Sequence, residues 1–243
     1  MNKCETQHYF FDPSLHRVDV QGHCDVDNVI EDQKYFFYVH EHAQGTLSLW
    51  LTEAGMRQID IFCADESVLT VRLFLLFVPS ATITISIYVC GEKSSCFVYG
   101  AYALSGNDQA EVIVRQVHCG ENSTSQFFLD GLVSGQASFR FDGLITIAES
   151  AKKSSALQNN KNILLSHGAR VVSVPSIQVL QNDVKCYHGA AIGYFERSHQ
   201  EYFRSRGLDE YQIKKMLIAA LYGSVLQGCE KREFILQKIY EKI

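Results

Sequence analysis

Histidine and cysteine fall together three times in this chain, at His23-Cys24, His118-Cys119 and Cys186-Tyr187-His188. Neighbouring residues on an extended strand point to opposite faces, so the first two pairs do not readily grip one ion. Residues two apart share a face, which sets the Cys186 thiol beside the His188 imidazole. A thiolate next to an imidazole is half of a soft-metal site and needs two more ligands from elsewhere. The plainer alternative is a buried thiol and a hydrogen-bonded histidine. His40-Glu41-His42 repeats the same spacing. Cys90 and Cys96, six apart across Gly-Glu-Lys-Ser-Ser, read first as free thiols at two strand ends and only second as a metal clip. Asp130 and Asp142 could form an acid/base pair of the kind that cleaves sugars. Each precedes a glycine, however, and Asp-Gly is foremost a turn signal.

Several reaction classes lack their motifs. The chain has no GxxxxGK[ST], no GxGxxG after a strand, no HExxH, no GxSxG and no CxxC. Readings as a nucleotide hydrolase, zincin, α/β-hydrolase or thioredoxin therefore have no support. The formal charge of -5 argues against nucleic acid as the main partner. The charge is unevenly placed: residues 1–66 carry 4 Lys/Arg against 12 Asp/Glu, while residues 196–243 carry 9 against 7. No apolar run marks a signal peptide at Met1–His8, so the eight cysteines read as free thiols of a cytoplasmic protein. The most apolar window, Val68–Val78, is too short to cross a bilayer.

The elements that must position these residues are mostly strands. From Tyr35 to about Gly193, short runs of β-branched and aromatic residues alternate with Gly, Asn, Ser or Asp. In Thr82–Val89 the residues Ile83, Ile85, Ile87 and Val89 alternate and should share one buried face. Val68–Phe77 is apolar on both faces, as a strand covered on both sides would be. Phe127-Phe-Leu-Asp-Gly-Leu returns twelve residues later as Phe139-Arg-Phe-Asp-Gly-Leu. Stacked rungs of a coil would write such a repeat, and so would an antiparallel sandwich.

After Gly193 the period becomes helical. Ser198-x-x-Glu201 and Asp209-x-x-Gln212 have the form of capping boxes, with Gly207 and Gly228 as stops. Ile213, Met216, Leu217, Ala220, Leu221 and Val225 form an apolar stripe, and a third helix is expected over Glu230–Lys242. The chain thus divides into a lead-in segment (1–34), a β core (35–195) and a C-terminal helical subdomain (196–243).

Five segments in order carry a family resemblance: Phe141-Asp-Gly-Leu-Ile-Thr-Ile, Ala156–Ser166, Pro175-Ser-Ile-Gln-Val, Asp183-Val-Lys-Cys-Tyr-His-Gly-Ala190 and Tyr202-Phe-Arg-Ser-Arg-Gly207. The series resembles the C-terminal half of the SufB/SufD family, scaffold subunits of the Suf iron–sulfur cluster assembly system. The resemblance implies a mainly β protein, a right-handed parallel β-helix with a small C-terminal helical subdomain. It implies a non-catalytic role, pairing with a SufB-like subunit (or with itself) and docking a SufC-like ABC ATPase. It places Tyr202, Arg206, Ile213, Leu217 and Leu221 on the docking helices. This chain would bind no nucleotide and would share an iron–sulfur cluster only transiently.

The branch resembled is SufD. The position of the SufB-like cysteine before Pro175 is Ala169 here, while Cys186-x-His188-Gly-Ala follows the SufD pattern. The resemblance assigns His188, with Cys186 beside it, to the dimer interface as an iron or cluster ligand. Two mild departures are Asn182-Asp183 for Asp-Asp and Gly189-Ala-Ala191 for Gly-Ala-Thr. Family members usually carry a longer N-terminal region with a helical domain. Two other readings remain: a β-helix carbohydrate hydrolase or lyase using Asp130 and Asp142, and a SufB-like homodimer that builds clusters itself.

Overall fold

A computed structural model describes residues 15–29 and 33–242. Its strands in chain order are β1 (Leu15–Val20), β2 (His23–Val29), β3 (Lys34–Val39), β4 (Gln44–Leu51), β5 (Gly55–Cys63), β6 (Val68–Leu76) and β7 (Ser80–Val89). There follow β8 (Ser95–Leu104), β9 (Gln109–His118), β10 (Thr124–Val133), β11 (Ser138–Ile147), β12 (Ser155–Leu164), β13 (Arg170–Val179) and β14 (Lys185–Gly193). Three helices close the chain: α1 (Arg197–Ser205), α2 (Glu210–Leu221) and α3 (Arg232–Lys242).

Odd-numbered strands form one seven-stranded sheet and even-numbered strands another, each in running order. Every pairing is parallel, and each strand pairs with the strand two places on: Gln109 lies between Ser80 and Ser138 in register. A chain that alternates sheets in this way winds as a parallel β-helix, two strands to a coil. An antiparallel sandwich is excluded by the pairing alone. The twelve-residue repeat is therefore two successive strands of one coil, β10 and β11, on opposite sheets.

Strand alternation builds the interior. Ile83, Ile85, Ile87 and Val89 all point inward and are buried, stacking on their registered neighbours in β5 and β9. Burying each such side chain contributes about 1.5–3 kcal/mol. β6 is apolar on both faces for the expected reason. Leu69, Val71, Leu73 and Leu75 fill the coil, while Phe74 faces outward into a second core against the helices. The turns that follow the odd strands are stacked as well. Glu66, Lys93, Asn122 and Lys153 adopt positive φ, and each is followed by a buried serine: Ser67, Ser94, Ser123 and Ser154. The Ser67, Ser94 and Ser154 hydroxyls donate to turn carbonyls, as Ser67 Oγ does to Ala64 O at 2.6 Å and Ser94 Oγ to Gly91 O at 2.8 Å.

The first coil begins earlier than Tyr35. β1 pairs with β3 and β2 with β4, both inside the segment read as a lead-in. The readings made on Met1–His8 lie outside the described residues. Asp130-Gly131 and Asp142-Gly143 are not turns, because both lie within strands. Their glycines serve packing instead: a Cβ on Gly131 would come within 2.0 Å of the Tyr102 ring, and one on Gly143 within 2.0 Å of Gln158 Oε1.

The helical subdomain packs on the outer face of the even-numbered sheet. Leu132, Ala101, Ala103 and Phe74 meet Ile218, Tyr222, Leu226 and Ile235 there. Tyr222 Oη donates to Tyr102 O at 2.6 Å, and the Arg72 guanidinium donates to Val225 O and Gln227 O at 3.2 and 2.9 Å. The Asp209–Gln212 capping box forms in full. The Ser198–Glu201 box does not: Glu196 is the N-cap of α1, and Ser198 Oγ donates back to Glu196 Oε2 at 3.3 Å. α2 ends at Leu221, before Gly228, because residues 222–228 turn to insert Tyr222, Val225 and Leu226 against the coil. Ile213, Leu217 and Leu221 are likewise buried within the chain. The expected docking stripe is thus largely core. Met216, by contrast, is exposed, as are Tyr202 and Tyr211 nearby. Among the described residues no helix is long and apolar enough to cross a membrane.

Candidate functional site

β14 ends the even-numbered sheet, and Cys186 and His188 lie on its inward face in register with Ala156 and Gln158 of β12. The shared face expected from their spacing is present. Cys186 packs against the small cluster of Ile145, Ile147, Ala151 and Ala156, and burial raises its thiol above the ordinary range. The His188 side chain is exposed, for no further coil covers it among the described residues. Ala169, at the position where the resemblance puts a cysteine in the SufB branch, is a buried core residue.

Behind this open end the interior changes from apolar to polar. Gln158 Nε2 donates to Gln116 Oε1 at 2.8 Å, and Gln116 Nε2 donates to Ser125 Oγ at 2.8 Å. Ser125 and Ser123 bracket His118, at 2.7 Å from Nε2 and 2.8 Å from Nδ1. Burial holds the His118 imidazole neutral by lowering its pKa to about 4. A second branch runs from Tyr102 Oη, which donates to Asn162 Oδ1 at 2.5 Å, through Asn162 Nδ2 to Asn160 Oδ1 at 2.8 Å. Ser173 Oγ also donates to Asn160 Oδ1, at 2.9 Å. Nearly every polar atom is satisfied, as a low-dielectric interior demands. Gln158 Oε1 is the exception: it is buried and without a partner, on the residue in register with His188.

The strands bearing this site have open edges. Among the described residues β13 pairs only with β11, and β14 only with β12. Val172, Val174, Val179, Leu180, Tyr187 and Ile192 are all exposed along them. Free strand edges with apolar side chains invite another chain to add to the sheet.

The other sequence candidates disperse. His40 Nε2 lies 2.9 Å from Asp19 Oδ1, and His42, in a turn with φ 58°, lies 3.1 Å from Glu66 Oε2. They do not share a site. Cys96 is fully buried in the core. Cys90 is half-buried beside Cys119, and burial pushes its thiol up to about 12, which makes it a poor nucleophile. Asp130 and Asp142 point outward from different sheets, so they form no acid/base pair. Asp142 is held by Arg115 at 3.0 Å. Asp130 is buried under the helical subdomain, where Ser224 Oγ donates to it at 3.1 Å and burial raises its pKa to about 6. Among the described residues no group of three or more His, Cys, Asp or Glu side chains is placed to hold a metal ion.

The polar column was not visible as such in the sequence. Gln158, Asn160 and Asn162 alternate along β12, but polar residues at alternate positions read as an exposed face unless the coil's end is already known. The recurrence of serine at 67, 94, 123 and 154 was the signal available.

Comparisons with known proteins agree with the architecture. Residues 38–221 match the family described as SUF system FeS cluster assembly, SufBD core domain. The chain is 37% identical over 95 residues, 39% of its length, to an iron–sulfur cluster assembly SufBD family protein of Synechocystis sp. (strain ATCC 27184 / PCC 6803 / Kazusa), of which this covers 21%. It is 31% identical over 112 residues, 46% of its length, to the iron–sulfur cluster assembly protein SufD of Escherichia coli (strain K12), covering 26% of that protein. It is 36% identical over 100 residues, 41% of its length, to the chloroplastic protein ABCI7 of Arabidopsis thaliana, covering 21%. The matched segments are thus about a fifth to a quarter of these relatives. With the family match spanning most of a parallel coil and reaching into α2, the chain belongs to the SufBD core family of the SUF iron–sulfur cluster assembly system.

Proposed function

We propose that this chain is a non-catalytic scaffold subunit of a cytoplasmic Suf-type assembly complex, pairing through its terminal coil with a SufB-like subunit. The observation that carries the reading is the open end of the coil, where β13 and β14 present free edges and exposed apolar side chains around His188. A second parallel coil docked there would satisfy the edge amides and carbonyls and cover Ile177, Val179 and Ile192, which share the inward face with His188. In this reading His188, and less directly Cys186, supplies iron or cluster contacts from one side of the interface, and the partner supplies the rest. The cluster is cargo, held in transit.

A SufC-like ATPase would dock on the helical subdomain and hydrolyse the nucleotide there. Since Ile213, Leu217 and Leu221 are turned inward, the exposed Tyr202, Arg206, Tyr211 and Met216 are the better candidates for its contact surface. Co-expression with a SufB-like and a SufC-like protein tests the proposal. A stoichiometric complex is expected, and His188→Ala should leave that complex intact while lowering the cluster formed on anaerobic reconstitution with iron and sulfide. Full cluster yield in the variant would remove His188 from the site, and failure of the wild-type chain to associate would overturn the scaffold role.

A further inference from the structure

A cavity of about 730 Å³ opens between the outer face of the even-numbered sheet and α3. That volume falls among small-molecule sites, which run from roughly 300 to 1,000 Å³. Its walls are apolar and aromatic, formed by Trp50, Phe74, Leu76, Phe77 and Phe234, with the Trp50 and Phe74 rings 4.3 Å apart. Lys231, Lys238 and Lys242 also line it. Lys231 is neutralised by Asp27. Among the described residues no carboxylate pairs with Lys238 or Lys242. Their ammonium groups lie instead over the Phe234 and Phe77 rings, each 5.6 Å from the centroid.

Phe77 is unusual in its own right. It adopts φ 56°, while Gly106 and Gly135, each 29 residues further along and so one coil on, take φ 61° and 69°. A left-handed conformation suits glycine and is costly for a bulky side chain. This coil nevertheless keeps a phenylalanine there, and its ring forms part of the cavity wall. Strain of this kind gathers at ligand sites, where the structure maintains it for what it presents.

We propose that this cavity binds a medium- or long-chain acyl carboxylate, with its head between Lys238 and Lys242 and its chain along Trp50, Phe74 and Phe77. A carboxylate head can pair with both ammonium groups at the cavity mouth, whereas a neutral ligand forgoes that pairing and a cation is repelled. The site is distinct from the terminal coil, so its test is independent of the scaffold reading.

Trp50 is the chain's one tryptophan, so its emission reports directly on the cavity. Titration of the full chain with dodecanoate, below its micelle-forming concentration, should give a saturable one-site change. Dodecanol should bind at least about tenfold more weakly, and so should dodecanoate to the Lys238→Met/Lys242→Met double variant, the loss of a charge contact each time. Both lysines are exposed, so the variant should fold as wild type does, which circular dichroism checks. Equal binding of dodecanol, unchanged affinity in the double variant, or no saturable response overturns the proposal. The last is the result expected if further polypeptide fills the cavity.

Discussion

Gln158 and His188 occupy registered positions on the last two strands of one sheet, both on the face that points into the coil. The glutamine is buried and tied through Gln116 to a polar network that reaches His118, while the histidine is exposed at the end of the same column. The coil therefore does not end on an apolar plug. Its final layers hold amides and hydroxyls whose positions are set by hydrogen bonds, and His188 stands one strand on from that ordered layer.

The network should contribute measurably to stability. Gln158→Met keeps most of the volume but leaves Gln116 Oε1 without its donor, which costs about 1–3 kcal/mol for a buried acceptor. Removing the unpartnered Gln158 Oε1 offsets part of that, so a net loss of about 1–2 kcal/mol in urea unfolding is expected. No change would mean that the network bears no load.

Asp130 and His118 should give the stability profile two opposing slopes. The Asp130 carboxyl has a folded pKa of about 6, above its ordinary value of 3.8. Its contribution is greatest when the group is protonated in both states and is lost as pH rises from about 4 through 6. His118 is lowered from 6.5 to about 4, so its contribution is lost as pH falls through that same window. Each displacement corresponds to about 3 kcal/mol. Asp130→Asn should therefore be the more stable protein above pH 6, and its stability should fall more steeply than wild type on acidification. His118→Gln should show the reverse slope. Parallel profiles for both variants and wild type would contradict these assignments.

The glycines inside strands test the packing account. Gly131→Ala drives a Cβ into the Tyr102 ring and should destabilise by about 2–4 kcal/mol, at or above the usual range for overpacking. Gly193→Ala meets nothing within 4 Å and should be nearly neutral. Thermal melts of the two variants separate a specific clash from a general dislike of losing glycine.

The helical surface divides by burial. Leu221→Asp places a charge in the core between helix and sheet and should cost at least about 3 kcal/mol. Tyr211→Asp and Met216→Asp alter exposed positions, so the melt should not move, while association with a SufC-like ATPase weakens. If those variants bind the ATPase as wild type does, the docking face lies elsewhere.

Much of this fold was legible because burial writes a period of two. Ile83 to Val89 announced their inward face, and the doubly apolar Val68–Phe77 announced a strand covered on both sides. Parallel stacking was not legible from periodicity, which is the same for a sandwich. It came from the resemblance and then from the register. β1 and β2 escaped because Leu15–Val29 is charged and interrupted, a weak pattern for a first coil. The inward face of β12 was hidden because the interior there is lined by Gln158, Asn160 and Asn162. Asp-Gly misled at 130 and 142, since the glycines are there to admit Tyr102 and Gln158 rather than to turn the chain. Of the site, the shared face of Cys186 and His188 followed from spacing, but the polar column behind them needed the stacking of distant strands.

Hydrogen–deuterium exchange on the chain with and without a SufB-like subunit tests the central claim most directly. The edge amides of β13 and β14, from Arg170 to Gly193, should exchange fast in the chain alone and become protected in the complex. Protection confined to other strands or to the helices, with these two edges still exchanging freely, would contradict it.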